Sequence, residues 1–408
     1  MPPLSPIRPA EQGRRTELGR ADRAELARPP GARLALDPLL TLAVIGLGLC
    51  SVLTLGSVTS ELVPGQPHYY SERQAAYLIV GSMLMLVLAR IDYARLRQFK
   101  RGIYAALMLS IFAVLGAGHA AQGAKRAISL PFFSFQASEL GKVLLILALA
   151  ALVVDRSRQL RERETTVRVM LAALVPAMFV IAQPDLGSGM VYIAIAVTLL
   201  FVAGVPWRHL GALAALGAAA IALVLLVAPA AGVPVLKPYE VQRLTAFLNP
   251  SVNTQEEGWQ QNESKIAIGS GQKTGRGVNA TQTKLNFVPA DDTDFIFAAV
   301  GEQYGFVGAA LVLSLYALLI WRALRILSMS KDLFGSLVAG GVVAMLMFQV
   351  FVNVGMAIGI MPITGVTLPL MSYGGSSVIA TLLAVGLLQS IYVQARATEA
   401  LKGRVLRH

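Results

Sequence analysis

The chain has 408 residues, 55% of them hydrophobic and only 14% charged, with a formal net charge of +12. Soluble domains carry about 25% charged residues, so the deficit excludes an ordinary water-soluble globule and points to a chain immersed in a medium where charge is costly. The four histidines are scattered and no Gly-x-x-x-x-Gly-Lys-Ser/Thr run occurs, which excludes a clustered histidine metal centre and an ATP-driven pump of the P-loop type.

Residues 1–37 form an Arg- and Pro-rich arm, with seven arginines from Arg8 to Arg33 and a composition expected of disordered segments. It lacks a cleavable-signal pattern. A membrane-spanning helix needs about 20 apolar residues. Ten stretches meet this requirement, near 38–56, 74–90, 103–118, 137–154, 169–183, 187–204, 209–229, 295–321, 333–360 and 374–394. Pro184 separates the fifth from the sixth, because proline removes a donor and disfavours helix just before it. The expected fold class is an all-α integral membrane protein. Its ten-helix domain covers 38–395, and a tail follows over 396–408.

Lysine and arginine set the orientation. With ten spans, 25 of the 35 basic residues fall on one side: in the arm, in loops 90–102 and 155–168, at Arg208, at Arg322, Arg325 and Lys331, and in the tail. Such an excess marks the cytoplasmic side, so both termini are expected there. The positive charge therefore reads as loops facing anionic lipid, and no nucleic-acid partner is expected. Cys50, the single cysteine, lies in the first span and reads as a small apolar packing residue.

Two outer loops remain, 119–136 and 230–294, the larger lying between spans seven and eight. The larger loop carries Lys237-Pro238-Tyr239, Arg243, Lys265, and the run Gly269-Ser270-Gly271-Gln272-Lys273-Thr274-Gly275-Arg276-Gly277. Glycines interleaved with cations can bring backbone N–H groups and charge to a phosphate; the other reading is a mobile loop. Asp294 stands where the acidic run Asp291-Asp292-Thr293-Asp294 meets apolar Phe295-Ile296-Phe297. It reads either as a helix-terminal carboxylate or as a general base at the membrane boundary. Glu139 and Lys142 share one helical face inside span four and are either internal glue or the lining of a substrate cavity. Asp185 suits a cap on span six. The small residues from Ser372 to Ser377 open span ten and suit either an anion or close helix packing.

Six runs, in order, resemble the SEDS family (shape, elongation, division and sporulation) of cell-wall polymerases. They are Gln183-Pro184-Asp185-Leu186-Gly187; Lys237-Pro238-Tyr239 with Arg243-Leu244; Ser264-Lys265-Ile266-Ala267-Ile268-Gly269-Ser270-Gly271; Thr293-Asp294-Phe295-Ile296-Phe297; Pro362-Ile363-Thr364-Gly365; and Met371-Ser372-Tyr373-Gly374-Gly375-Ser376-Ser377. The wording of the second and third looks more like the elongation-type, rod-shape member. The resemblance implies a ten-helix peptidoglycan glycosyltransferase in the bacterial cytoplasmic membrane. It would join lipid II units, disaccharide-pentapeptides on undecaprenyl pyrophosphate, into β-1,4 glycan strands on the outer face.

Carried over residue by residue, the resemblance makes Asp294 the essential aspartate, Glu139 and Lys142 the intramembrane pair, and Arg73 with Gln74 the Arg-Gln before span two. It implies a class B penicillin-binding protein as partner, with other elongation-complex membrane proteins nearby. Four positions depart from the family wording: Ala127 stands for a tryptophan, Ser134 for an arginine, Ala137 for a proline and Asp292 for a histidine.

Inversion at the donor sugar needs one base and one stabiliser of the departing pyrophosphate. Asp294 is the expected base. Lys265, Lys273, Arg276, Arg126 and Arg73 are candidate clamps, Lys265 foremost because it lies inside a family run. A divalent cation, magnesium or manganese, is the one candidate cofactor, with Asp294 and Asp292 as its ligands. The rival classes are a lipid II flippase, which midplane charges would suit, and a non-catalytic scaffold. Neither needs Asp294.

Overall fold

The computed structural model describes residues 36–59, 65–117, 119–121, 124–129, 133–227, 257–277, 280–283 and 292–405. The Arg-rich arm, Lys237-Pro238-Tyr239, Arg243 and Asp291 lie outside the described residues.

Eleven principal helices follow in chain order: α1 (Pro38–Val58), α2 (Tyr69–Arg90), α3 (Lys100–Ala117), α4 (Ala137–Asp155), α5 (Arg163–Ala182), α6 (Leu186–Val202), α7 (Trp207–Ala222), α8 (Glu257–Ser270), α9 (Ile296–Met329), α10 (Leu333–Ile358) and α11 (Gly375–Val405). Nine of the described helical segments are long and apolar enough to cross a membrane, and the 17-residue α6 is a tenth apolar helix. The molecule is thus a multi-pass membrane protein of about ten spans, all α in its membrane part. The eleventh helix, α8, belongs to the outer loop and is too polar to span.

The ends of the spans follow local chemistry. Asp37 caps α1, accepting from the Leu40 amide, and Pro38 takes the first helical position, where no donor is needed. Asp185 caps α6 through the Ser188 amide. Asp332 caps α10 through the Gly335 amide, and Gly359 ends α10 in the left-handed conformation, φ 84°. The 34-residue α9 exceeds the roughly 20 residues a span needs. It consists of two helices joined across a break at Gly305 (φ 62°, ψ −158°).

Helices α4, α10 and α11 form the centre, with 78%, 72% and 83% of their spanning windows buried, against 0% for α7. Helix α11 packs along α2, α9 along α1 and α10, and α6 along α5 and α10. The outer loop 119–136 holds an antiparallel sheet that the sequence reading did not anticipate: β1 (His119–Ala121), β2 (Ala124–Ser129) and β3 (Ser134–Phe135), in the order β1-β2-β3. Its strands are too short and too mixed in character to show a two-residue alternation.

Candidate active site

The outer ends of α2, α9, α10 and α11 meet at a turn over residues 292–295. Three carbonyls of that turn are anchored. Asn353 of α10 donates its amide to the Asp294 carbonyl at 2.8 Å, and to Val366 O at 2.8 Å. Ser372 donates to Thr293 O at 2.6 Å, and the Tyr373 amide donates to Asp292 O at 2.8 Å. The N-cap position of α9 falls on Phe295, which makes no side-chain cap. Asp294 therefore stands one residue before the N-cap.

Arg73 stands in the same cluster. Its side chain bonds Tyr373 and its guanidinium stacks 4.5 Å over the Tyr69 ring. Tyr70 packs edge-on against Tyr373 at 4.9 Å and feels the charge of Asp292. One residue further on, Gln74 is fully buried and donates to Ser51 Oγ (2.9 Å) and Ser372 O (3.1 Å). Burial holds the Tyr373 phenol well above its ordinary range, so it stays protonated at neutral pH. Desolvation pushes the Asp292 carboxyl up, against a backbone hydrogen bond that pulls it down. Arg73 and Asp292 thus both act on Tyr70, and Asp294 follows Asp292 two residues on.

The glycine-rich run does different work from a phosphate cradle. Its amides turn inward, the Gly275 N–H to Gly271 O at 2.8 Å and the Arg276 N–H to Glu302 O, and its carbonyls serve the neighbouring span. Gln272 O and Lys273 O accept from Phe306 and Val307 at 2.9 and 3.1 Å, satisfying the first N–H groups after the break in α9. The approach is so close that a Cβ on Gly275 would overlap the Gln303 carbonyl, and one on Gly305 would meet the Gly275 amide. Arg276 donates its main-chain N–H to Glu302 O (2.9 Å) and its Nε to Ser270 O (3.1 Å), while the Arg276 and Lys273 side chains remain exposed. The fully buried Glu302 carboxylate accepts from the amides of Thr281, Gln282 and Thr283 and from the Thr283 hydroxyl.

Lys265 lies elsewhere. Helix α8 docks on the C-terminal end of α10: Gln261 donates to Met356 O and Met361 O, and Ser264 to Ala357 O. The Lys265 side chain packs directly on Gly359. Its ammonium sits at the negative end of α10, six residues beyond Asn353, or roughly 9 Å along the axis.

Glu139 and Lys142 are only 3% and 1% exposed and pair at 2.7 Å. Such burial gives them the character of an internal brace. Just before them, Ser138 and Gln136 donate to Asp185 at 2.7 and 3.2 Å, and the Gln136 amide donates to Ser376 Oγ at 2.9 Å. Arg126 lies in β2, its side chain outside the described residues. Among the described residues, no group of three His, Cys, Asp or Glu side chains forms a metal cage. Asp292 and Asp294, two residues apart, would supply at most two carboxylates, the number that magnesium takes from a protein when substrate phosphate and water complete its shell. Asn353 and Glu302 escaped the sequence reading. Their signal was present, since Glu302 is the one charged residue between Phe295 and Trp321 and Asn353 is one of two amides, with Gln349, in the apolar run 333–360.

Residues 35–397 match the family model of cell cycle proteins that groups FtsW, RodA and SpoVE. The chain belongs to the SEDS family. This SEDS protein is 36% identical over 356 residues to the probable peptidoglycan glycosyltransferase FtsW of Thioalkalivibrio sulfidiphilus, covering 86% of each chain. It is 34% identical to the peptidoglycan glycosyltransferase RodA of Treponema pallidum, covering 78% of this chain and 88% of that one. Its fold matches a chain solved in a study of how a peptidoglycan synthase complex coordinates polymerization and crosslinking. The TM-score is 0.73 at 32% identity, over 89% of this SEDS protein and 99% of that chain. Division and elongation names thus occur at similar identity.

Proposed function

We propose that this SEDS protein is a peptidoglycan glycosyltransferase that polymerises lipid II on the outer face of the bacterial cytoplasmic membrane. The observation that carries the reading is the 292–294 turn, anchored by its carbonyls to α10 and the residues before α11, with Arg73 linked to it through Tyr373. The comparisons support the same activity, since the relatives are named for it.

The acceptor 4-hydroxyl attacks C1 of the donor sugar in line, as the bond from C1 to the pyrophosphate oxygen breaks. Asp294 takes the hydroxyl proton as the new bond forms. The electron pair of the broken bond leaves with the polyprenyl pyrophosphate, and inversion at an α-linked donor gives a β-linked product. Arg73 stabilises the developing charge, with Lys273 and Arg276 as further cations on the outer face. A magnesium or manganese ion bound by Asp292 and Asp294 would add charge neutralisation at that oxygen. The protein works with a class B penicillin-binding protein, which cross-links the new strand. Elongation is the duty favoured by the Lys237-Pro238-Tyr239 and Ser264-Lys265-Ile266 wording.

The test is glycan polymer formation from lipid II by the purified protein with its transpeptidase. Asp294→Asn is expected to lower the rate by at least ~100-fold, the usual worth of a general base, with an unchanged melting temperature. Polymerisation at the wild-type rate by the variant would move the assignment to a flippase or a scaffold.

A further inference from the structure

The basic side of the bundle holds a cavity that the polymerase reading does not use. It has a volume of about 670 Å³ and lies between α3, α4 and α5. Its mouth carries Lys100, Arg101, Arg156 and Gln159, and its floor is apolar, with Ala105, Ala148 and Ala172. The space exists because each of the three helices presents an alanine there. Tyr104 keeps α3 and α5 at that spacing by donating to the Ala172 carbonyl at 3.1 Å. An adjoining cavity of about 360 Å³ adds Arg97 and shares Lys100 and Asp155.

Charge and depth are arranged as in a lipid. Asp155 pairs with Arg97 and Lys100, while Arg101 and Arg156 have no ion pair among the described residues. Four cations therefore surround one carboxylate. From Asp155 at the mouth to Ala148 on the floor is seven helical residues, roughly 10 Å into the membrane. Ala105 is exposed, as is Leu109 one turn further along α3, so the floor opens sideways to acyl chains.

We propose that this cavity binds one anionic phospholipid of the cytoplasmic leaflet, its phosphate among Lys100, Arg101 and Arg156 and one acyl chain on the alanine floor. A soluble anion has no use for the apolar floor. A zwitterionic lipid brings its own cation to a mouth already positive. Basic pockets between spans on this side of a membrane suit anionic headgroups.

The experiment is native mass spectrometry of the full chain, loaded with phosphatidylglycerol or phosphatidylcholine, with inorganic phosphate as competitor. The wild type is expected to retain one phosphatidylglycerol in preference to phosphatidylcholine, and millimolar phosphate should not displace it. Arg101→Gln with Arg156→Gln should weaken retention by roughly 30-fold, the worth of two surface cations. Ala105→Phe, on an exposed position that leaves every charge in place, should abolish retention without changing the melting temperature. Equal retention of both lipids, full displacement by phosphate, or undiminished binding by Ala105→Phe would each overturn the proposal.

Discussion

Asp294 is positioned through its main chain. The anchoring bonds from Asn353, Ser372 and Tyr373 end on the carbonyls of residues 292–294, so Asn at position 294 leaves them intact. Its neighbour Asp292 costs stability. Its pKa is raised by burial, so the folded state holds the proton more tightly than the unfolded chain does. That stabilisation is complete below the ordinary carboxylate pKa and is lost as pH rises through the raised one. Asp292→Asn should therefore raise the melting temperature at pH 7, and the gain should vanish when melting is followed below about pH 4. Lys265 and Arg73 separate in the same spirit. Lys265 packs on Gly359 at the end of α10, so Lys265→Met should lower the melting temperature and cut lipid II polymerisation less than ~10-fold. Arg73→Gln should cut it ~100-fold. A ~100-fold loss in Lys265→Met at constant stability would return Lys265 to the list of clamps.

The helix break in α9 and the glycine-rich run are one device. A helix that stops at Gly305 leaves the next amides without partners, and Gln272 O and Lys273 O supply them. This fixes the outer loop to the span that begins beside Asp294, so a stretch that resembles a flexible loop is part of the scaffold. Gly275 has φ 87° and no room for a Cβ beside the Gln303 carbonyl. Gly275→Ala should destabilise the protein by about 2 kcal/mol or more, read as a fall in melting temperature, with lipid II polymerisation falling too because the loop loses its seat. Helix α8 repeats the idea, capping the carbonyls at the end of α10 with Gln261 and Ser264.

The two ends of the bundle are locked differently. On the outer side, α2, α9, α10 and α11 meet at the 292–295 turn. On the basic side, Asp37 is fully buried and accepts from Arg322 Nε at 3.1 Å, while its amide donates to Gln389 Oε1 at 2.8 Å. That joins α1, α9 and α11. Arg322→Met strands a buried carboxylate and should cost about 3 kcal/mol, whereas Asp37→Asn combined with Arg322→Met should recover part of it. Thermal melting of the two variants checks this. Equal losses would show that packing, not charge, carries the clasp. Helix α7 joins neither lock, and its spanning window is wholly unburied.

The chain's own order of residues determined the membrane class, the apolar helices and the family, and it carries the loop-charge bias from which an orientation is expected. These depend on local composition and on charge bias between loops, which are written along the sequence. Span boundaries were legible to within a few residues where a cap was present, as at Asp37 and Asp185. At α2 the polar first turn hid the start, which lies at Tyr69 and not near residue 74. The tertiary structure alone decided which polar residues meet. Asn353 reaches Asp294 across 59 positions and Asp37 meets Gln389 across 352. No periodicity encodes such pairings, because they follow from how helices pack and not from how each one forms.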